Sequence, residues 1–191
     1  MERDPTIIVV LDACVLYSAT IRGYLLYLAD QKIYQPKWSK DINDEWVRNL
    51  LKNRPDLSKQ RLSNTVNAMN TYFPDADVKI NQDDINVLVL PDPDDRYVLA
   101  TAIKSKAEKI ITANLKDFPE VYINSFNVGI QHPDQFISYL LSTYPEQCLI
   151  AFQEQINALK RPPINQTQML ANFRENKLKE TASLLEKMLN R

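Results

Sequence analysis

The stretch "TIIVVLD", residues 6–12, decides the fold class of this chain. It is a continuous apolar run rich in β-branched residues, which is typical of a strand buried on both faces of a parallel sheet. Apolar residues at helical spacing follow it in "RGYLLYLAD", residues 22–30. A buried strand that is followed by a helix begins a βαβ unit, so the sequence predicts an α/β fold.

The alternation of strands and helices continues as far as residue 131. We predict further helices at residues 37–55, 57–74 and 95–107, with Ser39 and Ser58 as the N-caps of the first two. We predict further strands at residues 78–80, 87–90, 109–114 and 127–131. Strands that alternate with helices in this way imply a central parallel sheet.

The pattern changes after His132. Residues 134–191 contain three or four helical segments without a strand, with a break at "RPPINQT", residues 161–167. The last segment has an apolar stripe that we expect to dock against another element, formed by Leu178, Ala182, Leu185 and Leu189. We therefore predict two parts, a domain at residues 1–132 and a helical C-terminal extension at residues 133–191.

The composition excludes several classes of protein. Apolar residues make up 45% of the chain, and 23 basic against 24 acidic residues argue against a general polycation. Two glycines exclude a Gly-rich phosphate loop, and a single histidine excludes a histidine-rich metal site. No apolar run approaches the ~20 residues of a membrane span, and the acidic start is unlike a signal peptide. Cys14 and Cys148 form no CxxC pattern, so we expect reduced thiols and a cytoplasmic protein.

Polar residues follow two of the predicted strands. Asp12 ends the first strand, and Asn114 and Asp117 follow the strand "KIIT". Ligands of an open parallel sheet bind at the carboxyl ends of its strands, so these residues can face one crevice. Glu45 and Asp95 lie in the first turns of their helices and border apolar stripes, where an unpaired carboxylate is costly.

The stretch "PDPDDRYVLATA", residues 91–102, places three carboxylates within four positions, at Asp92, Asp94 and Asp95. A helix N-terminus offsets at most about 1–2 kcal/mol of such repulsion, so a divalent cation is a better partner. Oxygen ligands favour Mg²⁺ or Mn²⁺, and an acidic cluster around such an ion suits phosphodiester hydrolysis. Each acid taken alone also fits an ordinary turn, N-cap or solvated position, so only their joint placement indicates a site.

Four segments, in this order, resemble the signature of PIN-domain ribonucleases, specifically the VapC-like branch with a C-terminal extension: "VVLDACVLYSA", "WSKDINDEWVRNLL", "DPDDRYVLATAI" and "IITANLKDF". The resemblance covers residues 6–131 and extends to the helical tail. It implies a PIN-like α/β/α sandwich with a central parallel sheet. It also implies a metal-dependent endoribonuclease, commonly the toxin of a toxin–antitoxin pair.

The same resemblance assigns roles to six residues. Thr112 and Asn114 would place a ligand water or the substrate. Asn114 departs from the commonest form of the fourth segment, which has Asp at that place, and Asp117 supplies an acid three residues later. The residues that would hold one or two Mg²⁺ or Mn²⁺ ions are Asp12, Glu45, Asp95 and Asp117.

The substrate of such an enzyme would be single-stranded RNA, whose backbone needs a basic surface. Residues 32–61 contain eight basic residues against four acids, whereas residues 62–100 contain two against seven. An ordinary helix surface sprinkled with lysine fits this composition equally well. Tyr24, Tyr27 and Tyr34 are expected in the core rather than stacked on bases. The resemblance further implies an antitoxin that blocks the acidic groove, and a homodimer.

Other functions stay open at this point. One is a PIN-fold module that binds RNA or an antitoxin with little catalysis, because Asn114 could weaken metal binding. Another is a phosphoryl-accepting α/β domain with Asp12 as the acceptor, although the acidic pair and later lysine of that class are not evident. His132 and Asp134 suggest a Ser-His-Asp site only weakly, since no nucleophile-elbow glycines accompany them.

Overall fold

The computed structural model describes residues 6–190, which form two compact units. The sheet unit contains Ile7–Tyr17 and Gln35–Gln131, and the helical unit contains Ser18–Tyr34 together with the residues from 132 onward. The predicted division after residue 132 stays a prediction. The acidic first residues, on which the argument against a signal peptide depends, lie outside the described residues.

The described part of the chain contains five strands and eleven α-helices. The strands are β1 (Ile8–Leu11), β2 (Gln35–Ser39), β3 (Asp77–Val78), β4 (Lys109–Ile111) and β5 (Gly129–Gln131). The helices of the sheet unit are α1 (Ala13–Tyr17), α3 (Lys40–Asn53), α4 (Lys59–Tyr72), α5 (Gln82–Asn86), α6 (Arg96–Ser105) and α7 (Glu120–Asn124). The helices of the helical unit are α2 (Ala19–Asp30), α8 (Pro133–Thr143), α9 (Pro145–Ala158), α10 (Gln166–Glu175) and α11 (Lys179–Leu189).

The five strands form one parallel sheet in the order β3-β2-β1-β4-β5. β1 lies at its centre, where Val9 pairs in register with Pro36 on one side and Lys109 on the other. Val9 and Val10 are completely buried, as expected of a β-branched strand inside a parallel sheet. The predicted α/β/α class, with a central parallel sheet and C-terminal helices, is therefore confirmed.

The strand order changes direction between β1 and β4. From β1 the chain continues outward to β2 and β3, and it then crosses over to β4 and β5. A change of this kind opens a crevice at the carboxyl ends of the two neighbouring strands. Asp12 directly follows β1 and Thr112 directly follows β4, so both residues lie at this crevice.

Two helices of the sheet unit carry further predicted site residues close to the sheet. α6 packs on β1, β2 and β4, and it buries Val98 and Leu99. α3 packs on α1, α6 and β2, and it buries Ile42 and Trp46. The starts of both helices are therefore held by the same sheet that presents Asp12.

The helix starts agree with the predicted capping residues. Ser39 Oγ accepts a hydrogen bond from the Ile42 amide at 3.4 Å, and Ser58 Oγ accepts one from the Arg61 amide at 3.1 Å. Each side chain satisfies an amide that has no partner inside the first turn of its helix. Ser39 and Ser58 are thus confirmed as the N-caps of α3 and α4.

Residues 37–39 differ from the predicted helix at 37–55, because they belong to β2 and α3 begins only at Lys40. The segment "QPKWS" has no strand pattern, and Pro36 lacks an amide hydrogen. It is a strand because it pairs with both β1 and β3. Strand formation here depends on tertiary neighbours, which a local sequence pattern does not contain.

The strand predicted at residues 87–90 is wrong, since "VLVL" is an irregular segment outside the sheet. Leu88 and Leu90 are buried, whereas Val87 and Val89 are each 75% exposed. The alternation that suggested a strand is therefore present in the folded chain. The segment is not paired as a strand, because the Val89 amide donates to the Tyr122 hydroxyl at 3.0 Å instead of to a neighbouring strand.

The helical unit packs α2 against α9, and it packs α11 against α8 and α10. Leu178, Ala182 and Leu185 are completely buried, and Leu189 is partly buried. The docking stripe of the last helix is therefore confirmed, and so are the helices expected after residue 134. None of the helices in residues 6–190 combines the length and apolar character that crossing a bilayer requires.

Two tyrosines of the helical unit, Tyr24 and Tyr34, lie in its core. Tyr24 is completely buried and donates to the Cys148 carbonyl at 3.1 Å, while Tyr34 donates to the Leu25 carbonyl at 2.7 Å. Buried phenol groups need such partners because an unpaired hydroxyl in an apolar core is costly. Core packing is therefore confirmed for Tyr24 and Tyr34, whereas Tyr27 is only partly buried.

Candidate active site

Asp12 lies where β1 ends and α1 begins. Its amide donates to the Ile111 carbonyl at 3.1 Å, and its own carbonyl accepts from the amides of Val15 and Leu16 at 3.0 and 3.1 Å. The residue is only 3% exposed. Backbone bonds to β4 and to α1 therefore hold its carboxylate at the crevice.

Three donors orient the Asp12 carboxylate. The Ala13 amide donates to Oδ1 at 2.6 Å, while Thr112 Oγ1 and Cys14 Sγ donate to Oδ2 at 2.7 and 3.1 Å. Burial nonetheless raises the pKa of Asp12, and the negative charge of Asp117 raises it further. The hydrogen bonds favour the charged form, but they do not compensate for the loss of water.

Thr112 and Cys14 also tie the turn after β4 to Asp12. Thr112 Oγ1 accepts from the Asn114 amide at 2.9 Å, and Cys14 Sγ accepts from the Ala113 amide at 3.3 Å. The resemblance predicted Thr112 near the site, and the structure places its hydroxyl on Asp12. Cys14 was missed as a site residue, although its place two residues after the strand-end acid was a signal.

The two thiols of the chain lead to a prediction about reactivity. Burial raises the pKa of Cys14 and of Cys148 to about 12, and the charge of Asp12 adds to the effect on Cys14. Since a raised pKa keeps a thiol protonated at pH 8, we expect both to react on the order of 10³ times more slowly than unfolded cysteine. Ellman's reagent measures this before and after guanidinium unfolding. Rapid reaction of one thiol in the folded protein would contradict it.

Glu45 lies on α3 and is partly buried. Tyr97 Oη donates to Glu45 Oε2, and Asn49 Nδ2 donates to Oε1 at 3.3 Å. Burial raises the pKa of Glu45 and the charge of Asp12 raises it further, while the Tyr97 bond and the charge of Arg48 act in the opposite direction. Glu45 is therefore held at both oxygens and lies within electrostatic reach of Asp12.

Tyr97 is a site residue that sequence reasoning missed. It lies in the first turn of α6, two residues after Asp95, and its hydroxyl contacts Glu45 on α3. Burial and the bond to Glu45 raise its pKa well above the usual range, so the phenol stays a donor. Tyr97 thus links the segments that carry two of the acids. Its position beside "DPDD" was the only signal in the sequence.

Asp95 precedes α6 and is partly buried. Its carboxylate accepts no hydrogen bond from the residues that the structure describes. Burial raises its pKa to about 7, together with the negative charges of Asp12, Asp92, Asp117 and Glu45. The structure therefore brings the predicted acids Asp12, Glu45 and Asp117, from three other segments, within electrostatic reach of Asp95.

Asp92 has a different role from Asp95. Its Oδ1 accepts from the Asp94 amide at 2.9 Å, and its side chain is exposed. This bond caps the short 3₁₀ turn at Pro93–Asp95. Asp92 therefore positions the turn that carries Asp95, and it adds negative charge to the site.

The fourth signature segment, "IITANLKDF", contributes Asn114 and Asp117. Asn114 directly precedes a 3₁₀ turn at Leu115–Asp117, and Asp117 is its last residue. The Asn114 carbonyl accepts from the Asp117 amide at 3.1 Å. Asp117 is partly buried and its charge acts on both Asp12 and Asp95. The Asn114 side chain is exposed and makes no hydrogen bond within the described chain, so only its backbone is tied to the site.

The four carboxylates of the site are chemically suited to bind a hard divalent cation. Four carboxylates repel one another, and no Lys or Arg of the described chain forms an ion pair with Asp12, Glu45 or Asp95. A divalent cation would offset this repulsion, and oxygen ligands of this kind suit Mg²⁺ or Mn²⁺. Within residues 6–190, no three Asp, Glu, His or Cys side chains stand close enough to share one ion, so binding would draw the carboxylates closer.

Comparisons with known proteins show the family to which this chain belongs. The model of the PIN domain family matches residues 8–116, and a model described as the VapC50 C-terminal domain matches residues 133–187. The chain is also similar to a Mycobacterium tuberculosis (strain ATCC 25618 / H37Rv) protein named "Putative ribonuclease VapC50", with 34% identity over 76 residues. That match covers 40% of this chain and 45% of the relative. No solved structure matches the chain significantly.

The family match and the site coincide along the chain. The PIN match runs from β1 past β4, and it contains Asp12, Glu45, Asp95 and Thr112. Asp117 lies one residue beyond its end. The chain therefore belongs to the PIN domain family, in its VapC-like branch with a C-terminal helical extension.

Proposed function

We propose that this chain is a metal-dependent endoribonuclease that hydrolyses phosphodiester bonds of single-stranded RNA. The observation that carries the proposal is the group formed by Asp12, Glu45, Asp95 and Asp117. Burial raises the pKa of Asp95 to about 7, together with the charges of the other three acids and of Asp92. Repulsion between clustered carboxylates lowers the stability of the fold, and such clusters occur typically at sites that bind a cation or catalyse a reaction. Carboxylate oxygens favour Mg²⁺ or Mn²⁺ as that cation.

The four acids of this group would hold the ion. When bound, the ion supplies an activated water and stabilises negative charge that develops on the phosphodiester. Thr112 and Cys14 orient Asp12, while Tyr97 and Asn49 orient Glu45. Supporting contacts of this kind matter because the orientation of a ligand determines how well it binds.

Thr112 and Asn114 have different roles in the proposed mechanism. The Thr112 hydroxyl is fully buried and holds Asp12, so it acts on the substrate only through that carboxylate. The Asn114 side chain is exposed at the crevice, where it is free to contact a substrate or a ligand water. These parts refine the roles that the family resemblance implies.

We further propose that the chain is the toxin of a toxin–antitoxin pair and acts in the cytoplasm. The similarity to a VapC-named protein supports this, although the match covers only 45% of that protein. An antitoxin could block the acidic group with a cationic side chain, because none of the four acids forms an ion pair within the described residues. The predicted homodimer stays a prediction.

Metal removal tests the proposed activity. Purified protein, treated with EDTA and then dialysed, should leave labelled single-stranded RNA intact, and added Mn²⁺ or Mg²⁺ should restore cleavage. Metal-independent cleavage would overturn the metal-dependent mechanism. RNA binding without cleavage in any divalent cation would instead favour the non-catalytic module, which the spacing of the acids also allows.

A further inference from the structure

We propose that one face of α3 binds the phosphate backbone of single-stranded RNA through Arg48 and Lys52. This inference rests on the proposed function, because it concerns the substrate of the same site. We call these two residues the α3 strip. The strip begins beside Glu45 and follows the helix toward its C-terminal end.

Helical spacing places the strip on the same face as the acid. Glu45, Arg48, Asn49 and Lys52 are separated by steps of three or four residues, which puts them on one face of a helix. The Asn49 amide contacts the Glu45 carboxylate at 3.3 Å, which shows this face directly. At 1.5 Å per residue, Lys52 lies about 10 Å along the axis from Glu45, a length of a few nucleotides.

The structure separates these two cations from the other basic residues of the region. Lys40 forms an ion pair with Asp44, and Arg54 forms one with Asp56. Lys37 donates to the Asp75 carbonyl. Lys32 belongs to the helical unit, and Lys59 and Arg61 lie on α4, which carries none of the four acids.

Arg48 and Lys52 are exposed, and neither forms an ion pair with any residue in the described part of the chain. Both are therefore available to a ligand. An RNA phosphate that approaches Glu45 and Asp95 is repelled by their charges. Cations next to the acids offset this repulsion and attract the backbone without reading its sequence.

The salt dependence of RNA binding tests the strip. The protein used is Arg48→Gln/Lys52→Gln, combined with Asp12→Asn so that the RNA is not cut, and Asp12→Asn alone is the reference. The probe is a fluorescein-labelled single-stranded oligoribonucleotide of mixed sequence, and anisotropy gives Kd over a range of KCl. Removing one cation that binds a phosphate of a single strand should lower the slope of log K against log salt by about 0.7, so removing the pair should lower it by about 1.4. Affinity at about 50 mM salt should fall by roughly tenfold or more.

The matched control is Lys40→Gln/Arg54→Gln in the same Asp12→Asn background. It removes the same number of charges from α3 and its end, but from residues that already have acidic partners. We expect its slope to stay within about 0.3 of the reference. Mn²⁺ binding by Arg48→Gln/Lys52→Gln with Asp12 intact, measured by calorimetry, should be at least as tight as that of the unmodified chain, because Arg48 lies near Glu45 only as a charge that repels the metal. Weaker RNA binding would then not come from loss of the metal.

An unchanged slope in the Arg48→Gln/Lys52→Gln protein, with RNA bound normally, would overturn the strip and leave the proposed nuclease intact. An equal decrease in the control would show a general charge effect and would also overturn the strip. If the reference protein bound no RNA while the unmodified chain cut none, the proposed function itself would fail.

Discussion

Asp12→Asn is expected to lower the rate of RNA cleavage by at least about 10³-fold, which corresponds to about 4 kcal/mol less transition-state stabilisation. Asp12 is the most buried of the four acids, and it lies at the crevice between β1 and β4. Its charge also acts on Glu45 and Asp95, so no other residue interacts with more of the group. An amide keeps its shape but provides a weaker ligand for a hard cation.

The slower cleavage should not come from unfolding. Burial already disfavours the charged form of Asp12, and its raised pKa shows that the protein gains little stability from the charge. The melting temperature of metal-free Asp12→Asn should therefore equal or exceed that of the unmodified chain. Asp75→Asn is the matched control, because it makes the same chemical change on an exposed side chain and should cleave normally. Comparable cleavage by Asp12→Asn and the unmodified chain would remove Asp12 from the mechanism.

Asp95→Asn is expected to stabilise the metal-free protein while it abolishes the response to divalent cations. The pKa of Asp95 is raised to about 7 in the folded chain, against an ordinary value of 3.8. An acid with a raised pKa binds its proton more tightly when folded, so its ionisation costs stability. That cost is absent below about pH 4, grows as the pH rises to 7, and is then constant.

Asn does not titrate, so Asp95→Asn should melt at the same temperature as the unmodified chain near pH 4 and higher at pH 8. Because Asp95 is partly exposed, solvent screening reduces the gain to about 1 kcal/mol, or roughly 2–4 °C. Differential scanning calorimetry with and without Mn²⁺ measures both effects. Mn²⁺ should raise the melting temperature of the unmodified chain at pH 8 and leave that of Asp95→Asn almost unchanged.

A lower melting temperature of metal-free Asp95→Asn at pH 8 would contradict this account, because it would mean that the carboxylate stabilises the fold. An equal Mn²⁺ shift in both proteins would instead exclude Asp95 as a ligand. The Asp75→Asn variant again serves as control, and its melting temperature should follow that of the unmodified chain at both pH values.

The fold class could be predicted because its signals are local. A continuous β-branched run such as residues 6–12 is typical of a strand buried inside a parallel sheet. An N-cap such as Ser39 or Ser58 accepts a hydrogen bond from an amide in the first turn of its own helix. The stripe of Leu178, Ala182 and Leu185 likewise follows from helical periodicity alone. The predictions for residues 37–39 and 87–90 are wrong because pairing with a neighbouring strand decides the state of these segments, and the neighbours are distant in sequence.

Some residues of the candidate site could be predicted from local sequence, and others are evident only in the folded chain. Asp12, Glu45, Asp95 and Asp117 could be named because they follow strands or border apolar helix stripes. Each alone also fits an ordinary turn or N-cap, so only their joint placement and the family resemblance indicated a site. Their mutual charge effects, and the contacts of Cys14 with Asp12 and of Tyr97 with Glu45, arise only in the folded chain. The physical reason is range: capping and periodicity act within a few residues, whereas burial, charge repulsion and side-chain hydrogen bonds depend on which distant segments the sheet brings together.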